Sequence, residues 1–560
     1  MKKLLAVLLC VVALAALLLA GCQQQTNNSG GPTEPGEKIT ITIGIPEEIR
    51  VLDYEDNAYT KYLEEVTGYD IVIEKWPYTS SDYKNRLSTT TAAGQKLPDI
   101  LWNMEMPAED IQYYGDQGVF IDLSDYYEDR EVSKNWWNML ETYVPEQDRS
   151  MVWGRMHFEN KDNPGAALED CPIYVNPTVT AVGFYKIPYM TVINQTWLDN
   201  LNLPMPTTLE ELENVLRAFK TQDPNGNKIA DEVPLIAART GSNGDVWSWL
   251  TNFFIYYDDE NAFNMGEDGK LYTPYTTDAY RQALILMNRW AEEGLLNTDF
   301  CIDTTITALR TKFENTFTSG NPSGNYGVVC ARISNIFTLE GVAENFSALT
   351  IYGEVHSQAT DVMLNCFITE DCENPDAAFN LLMAMNTREA TLRMYYGIEG
   401  EDWDYAQEGE LDPLGQQAEV KVYNTLQNKE TDHNWNYARG AIFGVVNETV
   451  GETASNRIKH MSILEKDLRE AYAAAWEKVD KSQICPYLQF NSEEKDIAKN
   501  RNTVKQEIKN WRAHFVVGDA GYDINKDADW NKYLQRLEEL GVKDYLAAAQ
   551  KCYDRMYGSK

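Results

Sequence analysis

The loop that begins at residue 223 has residue types and a spacing that could hold a metal ion. Oxygen-bearing residues alternate along it, and Pro224 and Gly226 mark a tight turn. Hard oxygen donors arranged in this way suit calcium, which takes about six to eight oxygen ligands. The candidate ligands are Asp223, Asn225, Asn227, Ile229 (through its backbone carbonyl), Asp231 and Glu232. The loop differs from an EF-hand because its glycine is the fourth residue rather than the sixth. A polar turn that binds nothing is the alternative interpretation.

A helix must position this loop, and the sequence predicts one directly before it. Thr207 and Thr208 each have a glutamate three residues further on, which is the spacing of a capping box. Apolar residues then recur at helical spacing and predict one buried face, formed by Leu209, Leu212, Val215, Leu216 and Phe219. We therefore expect a helix that ends where the loop begins.

Strand and helix patterns alternate near the start of the chain. Residues 39–45 and 70–74 have strand patterns, and residues 57–67 and 83–93 have helical patterns. The alternation predicts a parallel sheet with helices on both faces, in which ligands bind beyond the carboxyl ends of the strands. Residues that follow predicted strand ends are therefore candidates for ligand binding. They are Trp76, Trp102 and Glu105.

Further candidates for ligand contact lie later in the chain. Arg332 follows the buried-strand pattern of residues 327–331, where it can donate hydrogen bonds to a ligand. The aromatic candidates are Trp247, Trp249, Trp403 and Trp435. Each candidate has a structural alternative, which is packing in the core or at a rim for the aromatic residues and a surface ion pair for Arg332.

The first 22 residues predict export and lipid attachment. Lys2 and Lys3 precede an apolar run that is short for a membrane span, and Gly21 precedes Cys22. Small residues before a cysteine resemble the bacterial lipobox, in which the cysteine carries lipid. Residues 1–21 are then a signal peptide and residues 22–37 a flexible tether. A plain signal peptide or a membrane helix is the alternative. The predicted location is the extracellular face of the cytoplasmic membrane.

The composition argues against several classes of function. The chain has 560 residues and a net charge of −37, which disfavours nucleic acid because phosphates need a basic surface. Five histidines and the lack of CxxC spacing disfavour a zinc site. Besides Cys10 and Cys22, we expect most of the cysteines to be buried free thiols. No HExxH, GxSxG, P-loop or GxGxxG pattern occurs, so no catalytic residue is predicted.

Several blocks resemble one family of proteins. Residues 197–234, the PDAAFNLLMAMNT segment at 375–387, the YGIEG segment at 396–400 and the closing residues 530–555 are similar to extracellular solute-binding lipoproteins of bacterial ABC importers. Close relatives in that family bind alginate and other oligosaccharides. The resemblance implies a structural calcium in the loop described above. One departure is that Gln195 and Thr196 stand where the family commonly has a basic residue and an aspartate.

The resemblance implies an α/β protein with two lobes of the periplasmic-binding-protein type. Each lobe is expected to be a mainly parallel sheet flanked by helices, followed by a helical C-terminal region. We predict that residues 38–150 and 325–400 form the first lobe, and that residues 151–324 and 401–560 form the second.

The implied function is capture of a solute, with an oligosaccharide preferred, between the two lobes and delivery to the permease subunits of an ABC transporter. We expect a monomer that meets the membrane only through its lipid anchor and carries structural calcium. A receptor for peptide or another solute is the alternative, followed by a secreted glycan-active enzyme and a structural surface lipoprotein.

Overall fold

The computed structural model describes residues 38–164, 166–180, 187, 189–238, 244–257, 262–302, 305–355, 361–412, 416–426, 429–435, 442–443, 446, 448–449, 456–519 and 521–558. The predicted signal peptide, Cys22 and nearly all of the predicted tether lie outside these residues. Within them, no helix combines the length and the apolar character needed to cross a membrane.

Strands and helices alternate through most of the described chain. The strands are β1 (Thr40–Pro46), β2 (Asp70–Trp76), β3 (Ile100–Leu101), β4 (Thr178–Thr180), β5 (Thr191–Asn194), β6 (Val233–Ala237), β7 (Asn264–Met265), β8 (Leu271–Tyr272), β9 (Tyr326–Cys330), β10 (Phe346–Ala348), β11 (Asp361–Met363), β12 (Phe367–Ile368), β13 (Trp403–Tyr405), β14 (Val420–Val422), β15 (Ile442–Phe443) and β16 (Glu448–Thr449). The helices are α1 (Ala58–Thr67), α2 (Ser80–Ala92), α3 (Ala108–Asp116), α4 (Ser124–Glu128), α5 (Lys134–Tyr143), α6 (Glu146–Met156), α7 (Gln195–Leu201), α8 (Leu209–Thr221), α9 (Val246–Thr251), α10 (Asp278–Glu292), α11 (Ile306–Glu314), α12 (Ile333–Ile336), α13 (Pro375–Met385), α14 (Arg388–Tyr396), α15 (Asn456–Trp476), α16 (Ser492–Ile497), α17 (Arg501–Val517), α18 (Asp527–Glu539) and α19 (Val542–Tyr557).

The first sheet has the order β12-β3-β1-β2. β1 is parallel to both β2 and β3, so the carboxyl ends of these strands lie at one edge, where Pro46 is opposite Trp76. β12 runs antiparallel to β3, with Phe367 opposite Leu101. The predicted parallel core is confirmed, and a strand from much later in the chain completes it.

The second sheet has the order β10-β5-β9-β6 and is mixed rather than mainly parallel. Only β6 and β9 are parallel, whereas β5 runs antiparallel to both β9 and β10. The carboxyl ends of β6, β9 and β10 therefore lie at the same edge as the start of β5. Thr191, the first residue of β5, is opposite Cys330, the last residue of β9.

The hydrophobic clusters correct the predicted lobe boundaries. Val152, Phe158 and Val179 belong to the cluster that contains β1, so residues 151–180 pack with the first lobe. Trp435 and Ile442 lie in that same cluster. In contrast, β9 and β10 pack with the second lobe, as do the C-terminal helices. The boundaries were misplaced because both sheets are completed by strands that are distant in sequence.

The chain passes between the lobes at one side of each sheet. It leaves the first lobe after β4, returns before β11 and leaves again after β16, and β4 and β11 pair within one small sheet. Asn365, just after β11, accepts through its carbonyl a hydrogen bond from Met104 beyond the end of β3. On the other side, the chain enters the second lobe just before β5 and leaves it after β10. The ends of the described strands before and after these passages therefore lie at the carboxyl edge of each sheet.

Candidate ligand cleft and calcium loop

Exposed apolar side chains lie at the carboxyl edge of the first sheet. Ile49 and Leu52 follow β1 and are 86% and 59% exposed, and Tyr78 follows β2 and is 62% exposed. Because β1 and β2 are neighbours, the two loops leave the sheet side by side. Sequence reasoning missed Tyr78, although its position two residues beyond the strand end was a usable signal. This edge therefore exposes one aromatic and two aliphatic side chains to solvent.

The two tryptophans predicted at this edge are buried instead. Trp76 and Trp102 are 2% and 0% exposed. Trp76 can pack against the sheet because Gly44 has no side chain. A Cβ atom at position 44 would lie only 2.9 Å from the indole nitrogen of Trp76. Arg86 covers the Trp76 ring, with its guanidinium carbon 4.3 Å from the ring centroid. The structure thus corrects the expectation that these indoles line the cleft.

Trp435 is also a core residue. Its ring packs edge-on against Tyr59 and Trp102, at centroid distances of 5.2 and 6.0 Å. Its indole nitrogen donates to the Thr60 hydroxyl at 2.8 Å. Because both the ring and its donor are satisfied inside the first lobe, Trp435 ties the late segment of the chain to α1 rather than facing a ligand.

The remaining three tryptophans are likewise buried, and this too differs from the expectation. Trp249 donates to the carbonyl of Ile351 at 2.9 Å, and Trp403 donates to that of Gly397 at 3.1 Å. Trp247 lies in the core of the second lobe beneath Arg512, whose guanidinium carbon is 4.5 Å from the ring centroid. These contacts assign the three side chains to packing.

Glu105 and Arg332 lie beyond the ends of strands, as predicted. Glu105 follows β3 and is exposed at the carboxyl edge of the first sheet, and its backbone carbonyl accepts the Tyr83 hydroxyl at 2.6 Å. Arg332 follows β9 at the corresponding edge of the second sheet and is half-buried. Their participation in ligand binding remains a prediction.

A group of tyrosines occupies the carboxyl edge of the second sheet, and sequence reasoning missed it. Tyr189 precedes β5, Tyr352 follows β10, and Tyr472 comes from α15. The ring of Tyr472 lies 5.9 Å from that of Tyr189 and 5.4 Å from that of Tyr352. Among the described residues, the buried hydroxyls of Tyr189 and Tyr352 have no hydrogen-bond partner. An unpaired buried polar group of this kind costs about 1–3 kcal/mol. No single stretch of sequence predicts the group, because its members come from three distant segments.

The same face of α15 carries charged groups toward Arg332. Glu465 and Arg469 lie two helical turns and one helical turn, respectively, before Tyr472. Burial raises the pKa of Glu465 to about 7, and the nearby charges of Arg332 and Arg469 oppose that rise. The second edge therefore combines phenol hydroxyls with guanidinium groups and a carboxyl group.

The predicted capped helix positions the loop of residues 223–232, the candidate calcium site, as expected. α8 begins after Thr208, whose hydroxyl accepts the amide of Glu211 at 3.2 Å, and the Glu211 carboxylate accepts the amide of Thr207 at 2.8 Å. Leu212 and Phe219 on its inner face are fully buried. The helix therefore fixes the start of the loop against the core of the second lobe.

Local donors hold the oxygen atoms of the loop. The Asp223 carboxylate accepts the amide of Lys228 at 3.2 Å, and the Asn227 side-chain oxygen accepts the amide of Ile229 at 2.7 Å. Asp231 accepts the side-chain amides of Asn227 and Asn325, at 3.1 and 2.6 Å. Gly226 turns the loop with a φ of 71°. The predicted ligands thus lie on one compact turn.

Glu232 provides the test of whether this turn fits a cation. It is 4% exposed, and its Oε1 atom has no hydrogen-bond partner among the described residues. Burial raises its pKa, and the charges of Asp231 and Asp223 raise it further. Nowhere in the described chain are three His, Cys, Asp or Glu side chains gathered closely enough to hold a metal. Calcium also takes amide and carbonyl oxygens, however, and a cation would relieve the unpaired carboxylate, so the donor set fits calcium.

Comparison with known proteins agrees with this architecture. Residues 52–315 match the family described as bacterial extracellular solute-binding protein. This match confirms the predicted resemblance to the bacterial extracellular solute-binding proteins. The chain is also 23% identical over 573 residues to the fructooligosaccharide ABC transporter substrate-binding protein FusA of Streptococcus pneumoniae serotype 4, covering 97% of this chain and 96% of that protein.

Solved structures of solute-binding proteins share the two-lobed fold. An HMO-binding, ABC-transporter-associated solute-binding protein from Bifidobacterium longum infantis has a TM-score of 0.70 at 19% identity, covering 93% of this chain and 99% of that one. An EF-hand mutant of S. pneumoniae FusA with fructo-nystose has a TM-score of 0.65 at 19% identity, covering 93% and 100%. The alginate-binding protein AlgQ2 without calcium ion has a TM-score of 0.56 at 17% identity, covering 93% and 98%. These likenesses confirm the predicted fold class.

Proposed function

We propose that this chain is the extracellular solute-binding protein of an ABC importer and that its ligand is an oligosaccharide. The observation that carries the proposal is that the chain crosses between the lobes at the carboxyl edge of each of the two sheets. Ligands of open α/β sheets bind at such edges. Two lobes joined in this way can close on a ligand by a hinge motion.

The chemistry of the two edges suits a sugar. A sugar ring has an apolar face and a rim of hydroxyl groups. Tyr78, with Ile49 and Leu52 beside it, can pack against the apolar face of the sugar ring. Glu105 and Arg332 can form hydrogen bonds with its hydroxyl groups. The named ligands of similar proteins, which are fructooligosaccharide, HMO and alginate, support the same class of ligand. The relatives are named as binding proteins, which favours a receptor over a glycan-active enzyme.

A thermal-shift screen tests the proposal. The mature protein is mixed with kestose, lacto-N-tetraose, an alginate trisaccharide and trialanine. A ligand at a hundredfold its Kd should raise the unfolding free energy by about 2.7 kcal/mol. Stabilisation by one of the sugars without release of product would support a receptor. Stabilisation by trialanine alone would indicate that the ligand is a peptide. Cleavage of a sugar would indicate that the protein is an enzyme.

The chain also has the residues to hold one structural calcium, and this is part of the proposal. The ligands would be Asp223, Asn225, Asn227, Ile229 (through its carbonyl), Asp231 and Glu232. The unpaired buried oxygen of Glu232 supports this set, as do the names of the FusA EF-hand mutant and of AlgQ2 without calcium ion. The calcium would brace the end of α8 and carries no step of ligand capture.

Attachment to the membrane completes the proposal. Cys22 would carry the lipid, and residues 22–37 would tether the two lobes outside the cytoplasmic membrane, close to the permease subunits. The two lobes would act as a monomer. Mass spectrometry of membrane-derived protein should find lipid on Cys22, and Cys22→Ser should release the protein into the medium. Retention of the variant in the membrane fraction would contradict the anchor.

A further inference from the structure

An asparagine from outside the loop of residues 223–232 contacts one of the candidate calcium ligands. The side-chain amide of Asn325 donates to the Asp231 carboxylate at 2.6 Å, although the two residues are 94 positions apart in the chain. The other oxygen of that carboxylate accepts the side-chain amide of Asn227, itself a candidate ligand, at 3.1 Å. Asp231 is therefore held from two sides, once from within the loop and once from outside it.

Neighbouring groups fix the direction in which the Asn325 side chain points. Its side-chain oxygen accepts the amide of Asn321, which is buried. Its backbone amide donates to the Thr316 hydroxyl at 3.2 Å, and its backbone carbonyl accepts the amide of Val233 at 2.8 Å. Because the side-chain oxygen is engaged by Asn321, the side-chain nitrogen is the atom that meets Asp231.

These contacts lie at the amino edge of the second sheet. Asp231 lies two residues before β6, and Asn325 directly precedes β9. The two strands are parallel neighbours, with Val233 opposite Tyr326. Arg332, the candidate ligand contact of this lobe, follows β9 at the opposite edge. The Asn325 contact therefore belongs to the candidate calcium site and is separate from the proposed sugar contacts.

Repulsion among carboxyl groups gives the loop a need for such a contact. Burial raises the pKa of Glu232, and the charges of Asp231 and Asp223 raise it further, so these groups are close enough to disfavour one another's charge. A hydrogen bond from Asn325 keeps the Asp231 carboxylate from turning away before a cation arrives. Carboxylates that bind metals are commonly held by hydrogen bonds from beyond the ligand set, and losing such a partner costs about 10–100-fold in metal affinity.

We propose that Asn325 is a positioning residue of the calcium site, which holds the Asp231 carboxylate in the orientation that binds the ion. This inference rests on the calcium site of the proposed function and adds to it a residue from outside the loop. Asn325 acts through Asp231 and not as a ligand. Because Asn325 also bonds the first residue of β6 and directly precedes β9, it would connect the bound ion to the two parallel strands of the second sheet.

Asn325→Ala tests the role, because it removes the amide and leaves every candidate ligand in place. Calcium chloride is titrated into chelator-treated mature wild type and variant in a calorimeter. We expect the variant to bind calcium about tenfold more weakly, because Asp231 must then be ordered as the ion binds. At one calcium concentration far above both Kd values, the gain in unfolding free energy over EDTA should be about 1.4 kcal/mol smaller in the variant. A merely structural role would lower the Tm equally in calcium and in EDTA.

Asn345→Ala is the matched control. The Asn345 side-chain amide donates to the Pro322 carbonyl at 3.2 Å and so holds the same turn before β9, and its side-chain oxygen accepts the Thr196 hydroxyl at 3.0 Å. Within the described chain, none of its side-chain hydrogen bonds reaches a candidate ligand. We expect this variant to have a lower Tm both with and without calcium, and a calcium affinity equal to that of wild type.

Two results would overturn the role of Asn325 while leaving the calcium site intact. One is a calcium affinity of Asn325→Ala within twofold of wild type. The other is an equal loss of calcium affinity in Asn345→Ala, since loosening of the whole turn would then explain the effect. If wild type binds no calcium, the proposed calcium site and this inference both fail.

Discussion

At the scale of single residues, Glu465 gives the clearest link between burial and stability. Its pKa is raised to about 7 by burial, so the folded state keeps the proton at pH values where the unfolded chain has lost it. The unfolding free energy should therefore fall as the pH rises from about 4.5 to about 7. Arg332 and Arg469 limit the loss because they favour the charged form.

Glu465→Gln should remove this pH dependence. Wild type should lose unfolding free energy between pH 5 and pH 8, whereas the variant should not. The difference in unfolding free energy between variant and wild type should therefore grow by on the order of 2 kcal/mol over this range. Denaturant unfolding at the two pH values measures the difference. Glu470→Gln is the control, because Glu470 lies on the same helix but is exposed. Equal pH dependence in wild type and Glu465→Gln would show that Glu465 titrates normally in the folded protein.

At the scale of elements, α8 and the loop after it could be predicted from the sequence, whereas the residues of the cleft could not. The capping residues and the apolar spacing of α8 are local signals, and the helix begins one residue after Thr208, as they predict. The tryptophans were misjudged because a position after a strand end does not reveal which way a side chain turns. Gly44 and Thr60, which admit Trp76 and Trp435 to the core, become neighbours only through pairing and packing at long range.

Calcium should stabilise the end of α8. At a free calcium concentration of 100 to 1,000 times its Kd, the unfolding free energy should rise by about 3–4 kcal/mol, and EDTA should reverse this. Asp223→Ala combined with Asp231→Ala should abolish the response, and metal analysis of the variant should find no bound calcium. Glu267→Ala, an exposed carboxylate in the turn between β7 and β8, is the control. A double variant that keeps both the bound calcium and the response to EDTA would contradict the proposed calcium site.

At the scale of the whole molecule, the lobes touch at a place distinct from the chain passages. Gln489 donates from its side chain to the carbonyl of His157 at 2.6 Å. The guanidinium carbon of Arg155 lies 4.8 Å from the centroid of the Tyr487 ring. Sequence reasoning predicted two lobes but not this contact, because it had assigned residues 151–180 to the wrong lobe.

This contact should restrain the lobes in the absence of ligand. A nearby ion pair between Arg501 and Glu109 spans the same two lobes at 3.5 Å. Gln489→Ala combined with Arg501→Glu removes the hydrogen bond and reverses one charge, so we expect ligand-free protein to sample a wider range of lobe orientations. Small-angle X-ray scattering should then give a larger radius of gyration, while the Tm should change little because surface ion pairs contribute only about 0–1 kcal/mol. Arg536→Glu is the control, because its partner Glu507 lies in the same lobe. Identical scattering from wild type and the double variant would mean that the chain passages alone set the arrangement of the lobes.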